Sequence, residues 1–340
     1  MNILITGGCG FIGSNLVRYI LDNTDHKVFN IDKLTYAGTE RNHKGYLYNP
    51  NYFFEKTDIK DVEKIDRIFD SFKPDAVIHL AAESHVDRSI DSSNEFIGTN
   101  IIGTHVLLEV ARNFCDISET RKKSFKFLLV STDEVFGSLD FNDPAFTEKT
   151  QYQPNSPYSA SKAASDHLVR AWHRTYGMNT LITHCSNNYG PQQLPEKLIP
   201  NTIFRAFDLK KIPVYGTGEN VRDWIHVEDH CRALLTVLEK GVAGEMYSIG
   251  GDNEWNNISL VKKICDSVDT LLKGKEKGKK SISSRQSLIE FVTDRKGHDI
   301  RYAIDSSKIR KELGWKPLIE FETGLEETVV WYLNHRDWWL

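Results

Sequence analysis

Cysteine is sparse in this chain and unpatterned. The five, at positions 9, 115, 185, 231 and 265, are odd in number and form no Cys-x-x-Cys pair. This excludes a disulfide framework and a thiolate-built metal site, and it predicts reduced thiols in a cytoplasmic protein. Long apolar runs are absent too; none approaches the ~18 residues of a membrane span. Nor does charge of one sign dominate. Lys and Arg number 43 against 47 Asp and Glu, a net charge of −4 with the signs mixed. No field is present that would favour nucleic acid or an anionic membrane surface. The strand pattern begins at Asn2, so no targeting segment is expected ahead of the fold. One low-complexity stretch, Lys273 to Lys280, reads as a solvated loop.

The 340 residues are 40% hydrophobic and 26% charged, a globular composition long enough for one large core or two joined domains. Apolar strand signals fall at 2–6, 27–31, 52–55, 76–80, 125–131 and 180–184. Helical periodicity fills the intervals near 12–22, 61–72, 94–115 and 158–176. Such alternation predicts an α/β fold, a doubly wound parallel sheet covered on both faces. After Asn188-Tyr189-Gly190-Pro191 prolines crowd in, at 191, 195, 200 and 213. A smaller, mixed α/β domain is expected over 189–340, following a first domain over 1–188. The segment 223–250 is expected to rejoin the first, because it holds a helix (228–240) and an apolar strand (246–249).

Behind the first strand lies Gly7-Gly8-Cys9-Gly10-Phe11-Ile12-Gly13. Glycines at 7, 10 and 13 permit a tight turn, close approach to a pyrophosphate, and packing of a helix whose N-terminus faces the phosphates. The second strand ends in Asp32, nineteen residues past Gly13. An acid there accepts hydrogen bonds from an adenosine ribose and repels a 2′-phosphate. This predicts a Rossmann-type domain that binds NAD in preference to NADP, with Lys33 partly offsetting the repulsion. No Lys-Ser/Thr pair closes the loop, which excludes an ATPase loop.

The strand 125–131 runs into Ser131-Thr132-Asp133-Glu134, polar residues at the edge where open parallel sheets bind ligands. Tyr158 and Lys162, at i and i+4, share a helix face. The lysine is expected to lower the phenol pKa from ~10, so that the phenolate takes a proton from a substrate hydroxyl. His226 and His230 could suggest a metal, but Glu228 and Asp229 between them fit the first turn of a helix, and no metal is expected.

On these motifs, with Leu80 to Ser89, Cys185 to Pro191, Glu196 to Pro200, Arg222-Asp223-Trp224 and Asp294 to Asp299, the chain resembles the extended short-chain dehydrogenase/reductases over nearly its whole length. Within them it is most similar to the nucleotide-sugar 4,6-dehydratases. The resemblance implies dehydration of dTDP-glucose to dTDP-4-keto-6-deoxyglucose. UDP-glucose is the alternative substrate, and epimerase or decarboxylase chemistry is a more distant one. It makes Glu134 the base at carbon 5, Asp133 the acid at carbon 6, and Thr132 a partner of the carbon 4 oxygen. Adjacent residues of a continuing strand point oppositely, so the backbone must turn there.

For NAD the resemblance adds Phe11, Ile12, Asp32, Lys33, Leu34, Thr35, Asp58, Ile59, Leu80, Ala81, Ala82, Glu83, Ser84, Thr99, Tyr158, Lys162 and Asn188. For the nucleotide-sugar it implies Ser84, His85, Thr132, Asn187, Lys197, Leu198, Pro213, Val214, Tyr215, Arg222, Asn257, Asp294, Arg295, Lys296, Gly297 and His298. Lys197, Arg222 and Arg295 suit a diphosphate. Lys296 stands where the family motif has proline. A homodimer is implied through the helices 94–115 and 158–176, with Ile97, Ile101, Val106 and Leu108 on the first.

Overall fold

A computed structural model describes residues 1–273 and 282–339. The basic stretch read as a loop therefore lies, after Lys273, outside the described residues. Strands β1 (Asn2–Thr6), β2 (Lys27–Asp32), β3 (Tyr52–Lys56), β4 (Ala76–His79), β5 (Lys126–Thr132) and β6 (Thr180–Cys185) alternate with helices. They are followed by β7 (Asn187–Tyr189), β8 (Ile212–Tyr215), β9 (Val221–His226), β10 (Met246–Ile249), β11 (Glu254–Asn256) and β12 (Ile289–Val292). Seven of these form one sheet in the order β10-β6-β5-β4-β1-β2-β3, parallel throughout. The order reverses between β1 and β4, and the crevice outside their carboxyl ends is where such sheets bind ligands.

Continuous apolar runs put this sheet inside. Ile3, Leu4 and Ile5, Ala76, Val77 and Ile78, and Phe127, Leu128 and Leu129 have no exposed surface. Side chains alternate across the sheet. Ile3, Ile5, Val28, Ile78 and Leu128 therefore pack on one face with the helices Phe11–Asn23 and Val227–Lys240. Leu4, Ile31, Val77 and Leu129 pack on the other, with Val62–Phe72 and Thr104–Cys115.

The helix expected over 94–115 is three pieces: Asn94–Phe96, a wider π-helical stretch Ile97–Gly103, and Thr104–Cys115. The widened turn leaves the Asn100 carbonyl to accept the Thr104 and Ser165 hydroxyls at 2.5 and 2.7 Å. The Asn100 amide donates to the Glu83 carbonyl and the Ser161 hydroxyl at 3.0 and 2.8 Å. Leu108, expected on a free face, is buried in the core; Ile97 and Ile102 are the exposed apolar residues, at 47% and 50%. The helix Pro157–Tyr176 begins with a reciprocal Ser156–Ser159 cap and Pro157 at its first position, and it ends at Gly177 with φ +67°. Each is a sequence-encoded stop or start.

Beyond β7 the chain builds a second core around Ile199, Ile203, Val214, Leu260, Ile264, Leu325 and Tyr332. Two short sheets accompany it, β11-β9-β7 and β12-β8. The segment holding Val227–Lys240 and β10 lies against the first sheet. A second return was not legible in the sequence: Ile309, Leu313 and Trp315 also pack in the first core. The aromatic C-terminus folds back as well, with Trp338 Nε1 donating to Asn42 Oδ1 at 3.1 Å.

A Cβ on Gly13 would sit 2.2 Å from the Gly7 carbonyl oxygen, whereas one on Gly45 meets nothing within 4 Å. Gly13→Ala is expected to cost about 1–3 kcal/mol in urea unfolding, and Gly45→Ala less than about 0.5 kcal/mol. Equal effects would show that the loop relaxes around the methyl.

Candidate active site

A cavity of about 530 Å³ runs from the glycine loop, past the ends of β5 and β6, to the second half of the chain. Gly7 turns with φ +73°, and a Cβ there would lie 2.7 Å from the Ala81 nitrogen. No side chain caps the helix that starts at Phe11, so its N-terminus is left to face an anion. The Asp32 carboxylate accepts the Cys9 and Leu34 N–H groups at 2.9 and 2.8 Å, one on each oxygen, and burial raises its pKa. Each oxygen keeps a lone pair. Lys33 pairs with Asp58 at 3.4 Å, so its charge is directed there rather than at Asp32. The Thr99 hydroxyl is buried without a partner on the cavity wall. An uncapped helix end, a buried acid and an orphaned hydroxyl along one cavity fit a dinucleotide.

At the other end β5 stops at Thr132 and a 3₁₀ turn carries Asp133–Phe136. This turn lets adjacent carboxyls line one cavity. The Thr132 hydroxyl donates to Asp133 at 3.4 Å and accepts the Glu134 N–H at 3.3 Å. Burial, and next the Glu134 charge, hold Asp133 well above the usual carboxylate range. Asp133 Oδ2 has no partner. Burial also raises Glu134, but Arg295, Arg222 and Lys197 oppose it. The two carboxyls thus differ: carboxylates add to the rise at Asp133, while cations oppose it at Glu134.

The expected lowering of the Tyr158 pKa is not what its protein surroundings produce. Burial first, and then the Glu134 charge, raise it well above its ordinary value. The Lys162 ammonium donates instead to the Val130 carbonyl at 2.9 Å, and burial lowers its own pKa.

In the far half, Asn187, Lys197, Leu198, Pro213, Val214, Tyr215, Arg222, Asn257, Arg295 and His298 line the cavity, with Ser84 and His85 opposite. Lys197 Nζ donates to the Ser84 carbonyl at 3.4 Å. Arg222 is held by the Val221 and Asp299 carbonyls at 2.7 and 3.0 Å and lies 4.2 Å over the Tyr302 ring. Arg295 stands 3.6 Å from Asp87.

Four expected residues do not line the cavity: Leu34, Asp294, Lys296 and Gly297. The Leu34 N–H serves Asp32. Asp294 acts through His298, whose Nδ1 lies 2.7 Å away. Lys296 is exposed, and Gly297 supplies a turn at φ +64°. His85 caps a short helix by accepting the Arg88 N–H at 3.4 Å. His226 caps the helix after β9, and His230 Nδ1 lies 2.8 Å from Asn188 Oδ1.

The cavity also takes in Asn201, Thr202, Glu196 and Trp224, to which the sequence reading gave no role. The first two follow Leu198 by three and four residues on one helix, a spacing that could have found them.

A family profile described as GDP-mannose 4,6 dehydratase matches residues 4–328. The chain belongs to this family. Among its relatives, the dTDP-glucose 4,6-dehydratase of Escherichia coli is 55% identical, covering 100% of this chain and 95% of that protein. The dTDP-glucose 4,6-dehydratase of Neisseria meningitidis serogroup B is also 55% identical, over 99% of this chain and 94% of its own. The crystal structure of DesIV, the Streptomyces venezuelae dTDP-glucose 4,6-dehydratase with NAD and TYD bound, aligns with a TM-score of 0.90. It is 43% identical and covers 100% of this chain and 99% of that one. The UDP-glucose 4-epimerase of Thermotoga maritima aligns at 0.83 with 29% identity, covering 98% and 99%.

In this member of the GDP-mannose 4,6 dehydratase family, the buried carboxyl of Asp133 sets a stability dependence on pH. Its folded pKa lies well above the ordinary 3.8. Above pH 3.8 the folded state therefore binds more protons than the unfolded one, and stability falls as pH rises through the folded value. Asp133→Asn removes this cost. It is expected to raise the thermal midpoint at pH 7–8, with the gain vanishing near pH 4. A variant no more stable than wild type at pH 8 would show that Asp133 is charged without penalty.

Proposed function

We propose that the chain dehydrates dTDP-glucose to dTDP-4-keto-6-deoxyglucose. The observation that carries this reading is the turn at Thr132-Asp133-Glu134, which sets two carboxyls in unlike charge surroundings beside Tyr158. A 4-epimerase needs one acid/base group, at carbon 4. A dehydratase must also take a proton at carbon 5 and give one to the leaving carbon 6 hydroxyl, and it needs this pair.

NAD would supply the hydride acceptor for carbon 4 and the hydride donor for carbon 6. The glycine loop and the uncapped helix end would hold its pyrophosphate, Asp32 its adenosine ribose, and Asp58 and Ile59 its adenine edge. Asp32 favours NAD over NADP by charge. Tyr158 takes the proton of the carbon 4 hydroxyl, with Thr132 hydrogen-bonded to that oxygen. Its high pKa in these surroundings means that this proton transfer gains from every positive charge brought close: Lys162 from the protein, and the nicotinamide. Glu134, facing three cations, is the base at carbon 5. Asp133, raised well above the usual carboxylate range, is the acid at carbon 6. Lys197, Arg222 and Arg295 hold the diphosphate.

The cofactor half comprises 1–188 with 223–250, and we add the return over 307–315; the remainder of 189–340 holds the nucleotide-sugar. None of the helices in the described residues is long and apolar enough to cross a membrane. The five buried free cysteines suit a reducing compartment, the cytoplasm. The face carrying Ile97, Ile101, Ile102 and Val106 is assigned to a homodimer with the helix Pro157–Tyr176.

Incubated with dTDP-glucose and no added cofactor, the purified protein is expected to form the 4-keto-6-deoxy product, and to do so faster than with UDP-glucose. Product from neither sugar refutes the reading. Glu134→Gln is expected to lower turnover about 100-fold or more and to suppress deuterium uptake at carbon 5. Asp133→Asn lowers turnover similarly but retains more of that uptake. Wild-type turnover in Glu134→Gln would remove it as the base. Light scattering at micromolar concentration should give twice the chain mass; a monomer would reassign the isoleucine face.

A further inference from the structure

One turn beyond Lys162, Asp166 is buried to 1% exposure and takes no part in the chemistry assigned above. Its Oδ2 accepts the Ser131 hydroxyl at 3.0 Å and lies 2.9 Å from His184 Nε2. Ser131 on β5 and His184 on β6 face each other in the parallel register. A single carboxylate oxygen therefore ties two central strands to the helix that carries Tyr158 and Lys162. The residues it secures flank the reacting centre: Val130 accepts from Lys162, Ser131 donates to Asp166, and Thr132 follows.

We propose that Asp166 is a positioning residue for the reacting centre: its buried carboxylate, one helix turn from the buried Lys162 ammonium, supplies that ammonium's counter-charge and fixes the end of β5 against the helix. A buried ammonium and a buried carboxylate are each costly alone. At i and i+4 they share one helix face and offset one another. The charges near Lys162 leave Asp166 as the group that can do this. Burial lowers the Lys162 pKa, and Asp166 is the leading influence raising it, ahead of the Cys185 thiol on β6. His79 on β4 faces Lys162, but burial leaves it neutral, at about 3. Around Asp166 itself stand His184, the Tyr152 hydroxyl, which lies 3.1 Å from His184 Nε2, and the exposed Arg170 on the same helix. Asp166 Oδ1 and His184 Nδ1 have no hydrogen-bond partner among the described residues.

This inference rests on the assignment of Lys162 to the reacting centre, and the experiment separates the two. The pH dependence of kcat is measured with dTDP-glucose for wild type, Asp166→Asn, Asp166→Glu, His184→Gln and Lys162→Met. Loss of the Lys162 proton sets an alkaline limb. In Asp166→Asn that limb is expected to move down by about one pH unit or more. Meanwhile KM stays within about threefold, because Asp166 touches no substrate. Asp166→Glu, which keeps the charge, restores the limb. His184→Gln also keeps that charge and leaves the limb in place or moves it up. This variant carries the test if Asp166→Asn does not fold. An unshifted limb in Asp166→Asn, or a downward shift in His184→Gln, overturns the proposal and leaves Asp166 a packing group. Wild-type turnover in Lys162→Met overturns the assignment of the reacting centre, and the proposal with it.

Discussion

A parallel sheet covered by helices on both faces has no solvent side. Its strands can be apolar for most of their length, and the polar groups that can meet a ligand gather at the ends where the chain leaves the sheet. Here that constraint places the polar groups of interest along one crevice. β1 ends in the glycine loop, β2 in Asp32, β5 in Ser131 and Thr132, and β6 leads through Cys185 to Asn187. The crevice opens between β1 and β4, where the strand order turns outward in both directions. The second half of the chain closes over it with Lys197, Arg222 and Arg295.

Burial then does chemical work at this edge. Asp133, Glu134 and Tyr158 are all raised by desolvation, and what distinguishes them is the company each keeps. Glu134 faces three cations, whereas Asp133 faces two carboxylates and one arginine. Both carboxyls are raised, but cations oppose the rise at Glu134 whereas carboxylates add to it at Asp133. The same desolvation lowers Lys162 and Lys197, and neighbouring acids oppose that lowering. The site is a balance of like and unlike charges in a low-dielectric space, and it destabilises the fold around it.

The sheet was legible because its strands carry apolar runs, such as Ile3 to Ile5, Ala76 to Ile78 and Phe127 to Val130, set off by helical periodicity. The glycine loop, and Tyr158 with Lys162, were legible because their spacing is local, one turn of chain or one turn of helix; Asp32 was legible as the end of the next strand, nineteen residues past Gly13. The break in the helix over 94–115 was not, since Asn100 departs from the regular ladder to serve Glu83, Ser161 and Ser165. These partners lie 17, 61 and 65 residues away. The return of Ile309, Leu313 and Trp315 to the first core was hidden for the same reason. An apolar face on a short helix does not say which of two cores it will enter.

The sequence by itself determined the fold class, the dinucleotide turn, and the residue types able to move protons. These follow from backbone freedom, side-chain period and functional-group chemistry, all of which act over a few residues. Only the tertiary structure decided the charge states. It showed that Tyr158 is raised rather than lowered, first by burial and then by the Glu134 charge. It placed Asp294 behind His298 instead of in the cavity. It also set the Asp166 carboxylate beneath Ser131, in contact with His184. A pKa or a contact depends on which groups arrive from distant parts of the chain and how much water they exclude, and no local pattern contains that.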